Sequence, residues 1–265
     1  MVDGGKVGAM GARRILVTGA EGTIGTALRE HLAGRYELTF LTLTPQEFPS
    51  HVADVAELDA IRPAFEEVDA VVHLAASAAI ETPWDDVLRN NIVGTYNVFE
   101  AARQAGVSRV VFASSNHVVG MYELDGAPAL YDPDDDRSYD HTAEIRPDSL
   151  YGVSKAYGEA LGRMYMERHG LRVFCLRIGA VRANDDPTAP TANPLIDLDF
   201  EGQRNRLRAV WLSKRDCAEL VARCLDVEDV SWAVVYGVSG NPRRFWDLSH
   251  ARKLLGWEPQ DTAPP

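Results

Sequence analysis

Arg14-Ile15-Leu16-Val17-Thr18-Gly19-Ala20-Glu21-Gly22-Thr23-Ile24-Gly25 decides the fold. The first five residues are a short apolar run containing β-branched side chains, the pattern of a buried parallel strand. A G-x-x-G-x-x-G turn follows, and then a helical pattern through Leu28 and Leu32 that stops at Gly34. Strand, glycine turn and helix in this order read as a dinucleotide-binding unit. Gly19 permits the tight turn. Gly22 lets backbone N–H groups approach a pyrophosphate at the helix N-terminus, and Gly25 lets the helix pack close to the strand.

Working outward, Glu37 to Leu43 is a second strand, and it ends without the acid that usually holds the ribose 2′-OH of NAD. No Arg or Lys lies between Thr39 and Ser50 to clamp a 2′-phosphate, and Glu21 adds negative charge nearby. The reading is NAD, with NADP not excluded and the Thr42 hydroxyl in the ribose role. Val52 to Val55 is a third strand. Asp54 either accepts from an adenine amino group or caps a helix over Val55–Phe65. Asp69 to Ala76 is a fourth strand whose small residues leave room for a cofactor, with His73 a core histidine.

Trp84 to Gln104 reads as one long helix. Asn91 and Gly94 sit inside it against propensity, which signals a packing or functional reason. Arg109 to Ala113 is a fifth strand ending in Ser114-Ser115-Asn116-His117, a polar cluster where open sheets build active sites. Tyr122 to Pro147 reads as a long acidic loop. A helix from Tyr151 to Arg168 and a strand from Leu171 to Ile178 follow. Residues 180–208 lack a period and read as a substrate loop, and Ser213–Leu225 is an amphipathic helix. Val234–Gly237 is a last short strand and Ser249–Leu255 a last helix. The βαβ rhythm predicts an α/β, Rossmann-type doubly wound parallel sheet. The expected division is a disordered lead-in over 1–12, a nucleotide-binding core over 13–179, and a substrate-binding segment over 180–265 that completes a single domain.

A net charge of −12 argues against nucleic acid and anionic membrane surfaces as partners. No apolar run is long enough to span a bilayer, and no signal peptide is expected. Cys175, Cys217 and Cys224 read as reduced, structural thiols of a cytoplasmic protein, and no spacing suggests a metal site. Lysine is scarce, with only Lys6, Lys155, Lys214 and Lys253, so a lysine in Tyr151-Gly152-Val153-Ser154-Lys155 is informative. On a helix Tyr151 and Lys155 share one face, and an ammonium beside a phenol favours the phenolate. Such a pair can take a proton from an alcohol.

The glycine turn, Asn91-Ile92-Val93-Gly94-Thr95, Ser114 to Gly120 and Tyr151 to Lys155 together resemble the short-chain dehydrogenase/reductase superfamily, in its extended, sugar-modifying branch (the epimerase/dehydratase family). The resemblance spans roughly residues 13–260. It implies a nicotinamide cofactor held by Gly19, Gly22, Thr23, Ile24, Gly25, Thr42, Asp54, Val55, Leu74, Ala75, Ala76, Asn91, Tyr151, Lys155 and Ile178. It makes Tyr151 the acid/base, Lys155 its partner, Ser115 the group polarising the reacting oxygen, and Asn91 a support of the proton relay. Ser114 is then a structural hydroxyl at the strand end.

Only residues 156–265 follow the Tyr–Lys pair, which suits a small free sugar or sugar acid better than a nucleotide sugar. Phe112 to His117, Arg146 to Lys155, Arg177-Ile178-Gly179, Trp211-Leu212-Ser213 and Gly256 to Pro259 are similar to uronate dehydrogenases, which oxidise C1 of a hexuronate to a lactone with NAD. By that resemblance Arg206 binds a carboxylate, and Ser77, Ser115, Asn116, His117 and Tyr151 meet the sugar. Ala180 stands where that family has a serine. Arg204, Arg206 and Arg208 suit a phosphate equally, and the chain also resembles short-chain-type glucose-6-phosphate dehydrogenases of archaea. A nucleotide-sugar epimerase or dehydratase and a non-catalytic NAD sensor are the other readings. A homo-oligomer is expected.

Overall fold

The structure is a computed structural model that describes residues 12–265, so the expected lead-in lies, except for Ala12, outside the described residues. Seven strands, β1 (Arg14–Thr18), β2 (Glu37–Thr42), β3 (His51–Val52), β4 (Ala70–His73), β5 (Arg109–Ser115), β6 (Arg172–Ile178) and β7 (Trp232–Gly237), form one parallel sheet. Their order is β3-β2-β1-β4-β5-β6-β7. Val17 pairs with Phe40 on one side and Val72 on the other, and Ser115 pairs with Ile178. The order reverses between β1 and β4, so the chain leaves these strands toward opposite edges and a crevice opens at their C-terminal ends.

Burial follows from this topology. β4 and β5 are buried along their whole length, as strands covered on both faces must be. Alternate side chains feed two cores: Ile15 and Val17 join one, Leu16 and Val71 the other. The helices are α1 (Thr23–Leu32), α2 (Leu58–Ile61), α3 (Trp84–Asp86), α4 (Gly94–Gln104), α5 (Met121–Gly126), α6 (Leu150–His169), α7 (Phe200–Val210), α8 (Lys214–Asp226) and α9 (Ser249–Leu255). The segment after Ile178 thus supplies β7 to the same sheet, and α8 packs against α1.

Four expectations about elements need correction. The helix over 55–65 is shorter, with α2 passing at Arg62 into a 3-10 turn that holds Pro63. Trp84–Gln104 is not one regular helix: Val87–Val93 forms a π-helical segment between α3 and α4, and the Gly94 N–H reaches back five residues to the Arg89 carbonyl. Gly94 packs tightly there, since a Cβ on it would lie 2.8 Å from Val55 Cγ2 and displace that side chain. The acidic loop begins as α5 and a 3-10 turn over Ala129–Tyr131, with Leu130 and Tyr131 buried. The expected substrate loop over 180–208 ends in α7, capped by the Asp199 carboxylate accepting from the Gly202 N–H at 2.7 Å. No helix among the described residues is long and apolar enough to cross a membrane.

Candidate active site

Helix α6 places the two residues that matter most. Ser149 caps it, its hydroxyl accepting from the Gly152 N–H at 3.1 Å, and Gly170 ends it in the left-handed conformation. Tyr151, Ser154, Lys155, Gly158, Glu159, Gly162 and Tyr165 form its buried stripe against the sheet. Beneath it, β5 ends at Ser115, whose hydroxyl accepts from the His117 N–H at 3.2 Å. A buried ion pair fixes this junction. Arg177 donates to Glu159 through Nε at 3.0 Å and Nη2 at 2.9 Å, and Ser114 donates to the same carboxylate at 2.6 Å. Ser114 therefore has the structural role expected of it.

A cavity of about 820 Å³ lies over the C-terminal ends of β1, β4, β5 and β6. Gly19, Gly22, Thr23, Ile24, Gly25, Thr42, Asp54, Val55, Leu74, Ala75, Ala76, Ser77, Ser115, Asn116, His117, Tyr151, Lys155, Ile178 and Arg206 all line it. Of the expected site residues only Asn91 does not. Its amide is used behind the wall: Oδ1 accepts from the Ser77 N–H at 2.8 Å, and Nδ2 donates to the Ser77 carbonyl and to Ser154 Oγ, both at 3.0 Å. Ser154 in turn donates to the Tyr151 carbonyl at 2.7 Å. Asn91 therefore positions Ser77 and the first turn of α6.

The electrostatics depart from the expected phenolate. Burial pushes the Tyr151 phenol up to about 12, only partly offset by the nearby Ser115 hydroxyl. Burial likewise draws the Lys155 ammonium down to about 7. Its Nζ lies 5.0 Å from the Phe112 ring centre and 5.5 Å from that of Tyr151, and no carboxylate pairs with it among the described residues. For both groups the dominant influence is burial, which disfavours the charged form of each. His73 is the core histidine expected. It lies between the Thr18 hydroxyl at 2.8 Å and the Thr95 hydroxyl at 3.3 Å, and burial lowers its pKa to about 3.

The Thr42 hydroxyl is buried and engaged with the Thr44 carbonyl at 3.0 Å and Ser50 Oγ at 2.8 Å. The Glu21 carboxylate accepts from the Leu43 N–H at 3.1 Å, just past the end of β2, and lines the cavity. Arg206 is buried against Glu123, which is fully buried, with Nε 2.8 Å and Nη2 3.3 Å from the carboxylate oxygens. Tyr131 also donates to Glu123 at 2.9 Å. Arg206 thus lines the cavity with its charge balanced by Glu123. Arg204 and Arg208 lie within reach of Glu201, at 3.1 and 3.7 Å. Asp54 lines the cavity and does not cap α2, whose N-cap is Glu57; its Oδ1 accepts from the Ala56 N–H at 2.8 Å and its Oδ2 pairs with Arg89 at 2.8 Å.

Sequence reasoning missed Glu123, Asp148 and Arg182. Asp148 holds His117 Nδ1 at 2.6 Å, and the His117 and Tyr151 ring centres are 5.8 Å apart. Arg182 lines the cavity beside Ala180.

The residues present fit a dinucleotide. Gly19 has φ +69°, and a Cβ there would lie 2.8 Å from the Ala75 backbone. A Cβ on Gly25 would lie 2.5 Å from the Ala20 carbonyl oxygen. The N-terminus of α1 has neither a side-chain cap nor an acid in its first turn, so its free N–H groups remain for an anion. Among the described residues no cluster of His, Cys, Asp and Glu is placed to hold a metal ion.

Residues 15–193 match the NAD dependent epimerase/dehydratase family. The chain is 40% identical over 260 residues to the NAD-dependent glucose-6-phosphate dehydrogenase of Haloferax volcanii, covering 94% of each chain. It is 40% identical over 254 residues to the L-arabinose 1-dehydrogenase (NAD(P)(+)) of the same organism, covering 94% of this chain and 97% of the other. The crystal structure of uronate dehydrogenase from Agrobacterium tumefaciens superposes with a TM-score of 0.79 at 32% identity, covering 96% of this chain and 90% of that one.

Proposed function

The chain belongs to the NAD dependent epimerase/dehydratase family, and from that premise we propose that it is an NAD-dependent dehydrogenase that oxidises the C1 hydroxyl of a small sugar. The observation that carries this reading is the meeting of Ser115, Tyr151 and Lys155 in one cavity with the glycine turn. Relatives and a structural neighbour named for glucose 6-phosphate, arabinose and uronate support a sugar as substrate. The finer reading is an anionic sugar, a hexuronate giving an aldarolactone, with a hexose 6-phosphate as the alternative.

NAD, held by the glycine turn and the N-terminus of α1, would supply the hydride acceptor for C1. Ser115 holds the reacting oxygen by a hydrogen bond, and Tyr151 takes the hydroxyl proton as the carbonyl forms. Lys155 supplies the positive charge that makes a phenolate tolerable in a site where burial opposes it. His117, its Nδ1 fixed on Asp148, presents its other edge to the cavity next to Tyr151. Asn91, through Ser77 and Ser154, fixes the wall and the start of α6.

The test is an absorbance assay of reduced nicotinamide with NAD or NADP and glucuronate, galacturonate, glucose 6-phosphate, glucose, arabinose or UDP-glucose. Reduction with a free sugar or sugar phosphate supports the reading. Silence with all of them, or activity on UDP-glucose alone, refutes it.

Glu21 also sets an expectation for the cofactor. A carboxylate beside the end of β2 accepts hydrogen bonds from ribose hydroxyls and repels a 2′-phosphate. Glu21→Arg should raise the ratio of kcat/KM for NADP over NAD by about tenfold, a difference of about 1.4 kcal/mol. An unchanged ratio would remove Glu21 from cofactor selection.

A further inference from the structure

The geometry points to Arg182 as the residue that recognises the anionic group of the sugar, in place of Arg206; this rests on the reading of the chain as a sugar dehydrogenase. The argument begins with charge. Arg206, the arginine that sequence resemblance singles out, already faces a fully buried carboxylate on α5. A sugar carboxylate or phosphate placed on Arg206 would be brought toward Glu123, and two like charges in a poorly solvated wall repel. The Arg206–Glu123 pair therefore gives the cavity a polar wall without net charge. Such a wall suits sugar hydroxyls better than an oxyanion.

Arg182 is in the opposite condition. It is partly buried on the cavity wall, and among the described residues its guanidinium makes no hydrogen bond or ion pair; its Nε is buried without a partner. The chain carries 39 acidic residues against 27 basic ones, so acids are plentiful, yet the two nearest in sequence are turned elsewhere. Asp185 accepts from the Lys214 N–H at 3.1 Å, and Asp186 accepts from the Thr188 N–H at 2.8 Å and its hydroxyl at 2.7 Å. A guanidinium without a protein partner keeps its donors available to a ligand. A planar guanidinium offers two parallel donors to a carboxylate or phosphate, and that ligand is the partner the protein does not supply.

The position is also right. Residues 179–182 leave the C-terminal end of β6, next to Ser115 on β5. They are tied to the end of α7 by the Ala180 N–H to the Val210 carbonyl at 2.8 Å and by the Leu212 N–H to the Ala180 carbonyl at 3.0 Å. Thr191 lines the same cavity with a buried hydroxyl that also lacks a partner. An arginine and a hydroxyl from the 180–193 segment thus both line the cavity without a partner among the described residues. Ala180, where the resembling uronate dehydrogenases carry serine, removes one hydroxyl from this region, and Arg182 adds a charge two residues on.

The experiment compares wild type with Arg182→Gln. Steady-state kinetics are measured with glucuronate, glucose 6-phosphate, glucose and arabinose, and the KM of NAD is measured in parallel. For the anionic sugar that wild type oxidises, the anionic-to-neutral ratio of kcat/KM should fall on the order of 30-fold, and Arg182→Lys should restore part of it. An unchanged ratio overturns the assignment. A rise confined to the KM of NAD overturns it too, placing Arg182 on the dinucleotide pyrophosphate. Wild-type activity on neutral sugars alone leaves the dehydrogenase reading standing and sinks Arg182 as an anion anchor. If wild type oxidises none of the sugars, the dehydrogenase reading fails, and Arg182 is judged by thermal shift of the NADH-loaded protein. Stabilisation by glucose 6-phosphate or glucuronate that is lost in Arg182→Gln upholds the anion site, and no stabilisation by either rejects it.

Discussion

Tyr151→Phe should lower kcat for sugar oxidation on the order of 10³-fold while leaving the affinity for NAD close to that of wild type. The substitution removes one oxygen from a ring that is buried and leaves the packing of α6 on β5 in place, so the loss isolates proton transfer. General acid–base catalysis by one positioned group is worth about 10² to 10⁴ in rate, and Ser115 lines the same cavity as the phenol. The check is kcat from nicotinamide absorbance beside a titration of NAD binding. A variant that keeps a tenth of the wild-type turnover would show that another group takes the proton, and His117 would be the first to examine.

Lys155→Met should abolish turnover and at the same time raise the melting temperature by about 5 °C at neutral pH. Burial holds the ammonium near 7, against an ordinary value of 10.5. Between those two values the unfolded chain binds a proton that the folded chain releases, so this group makes stability rise with pH across the interval. Below about 7 the folded protein carries the full cost of a buried, unpaired cation, on the order of a few kcal/mol. Methionine fills similar space without charge. Thermal melts of both proteins from pH 7 to 10 are the test: wild type should gain on the variant as pH rises. Parallel curves would mean that Lys155 is solvated in the folded state. This expected gain is the mark of a residue kept for chemistry at the expense of the fold.

The Rossmann-type sheet and most of the cavity lining could be read along the chain because their signals are local. A glycine turn between a strand and a helix, small residues at Leu74–Ala76 and a Tyr–Lys spacing of four each depend on a few neighbours in sequence. What was misread depends on distance. Glu123 looks like one more acid at the start of an acidic stretch; only its ion pair with Arg206, 83 residues away, buries it. The pairing of Arg206 is hidden from the sequence for the same reason. β2 ends without an acid, and the carboxylate beside its end comes from the turn after β1, at Glu21. Arg182 gave no signal at all, because the absence of a partner is invisible until the fold shows where every nearby acid has gone. The π-helical segment was half legible: Asn91 and Gly94 announced an irregularity without saying which.

That segment has a consequence for how the gene can vary. Val87–Val93 holds one residue more than a regular α-helical ladder would use. Deleting a single residue there lets the helix close into an unbroken spiral, which local hydrogen bonding favours. The same deletion turns everything upstream by about a quarter of a turn relative to α4, and Asn91 swings off Ser77 and Ser154. Along this helix, a change that improves the spiral misaligns the catalytic wall, so insertions and deletions here are judged by the reading frame of the turn and not by helix quality.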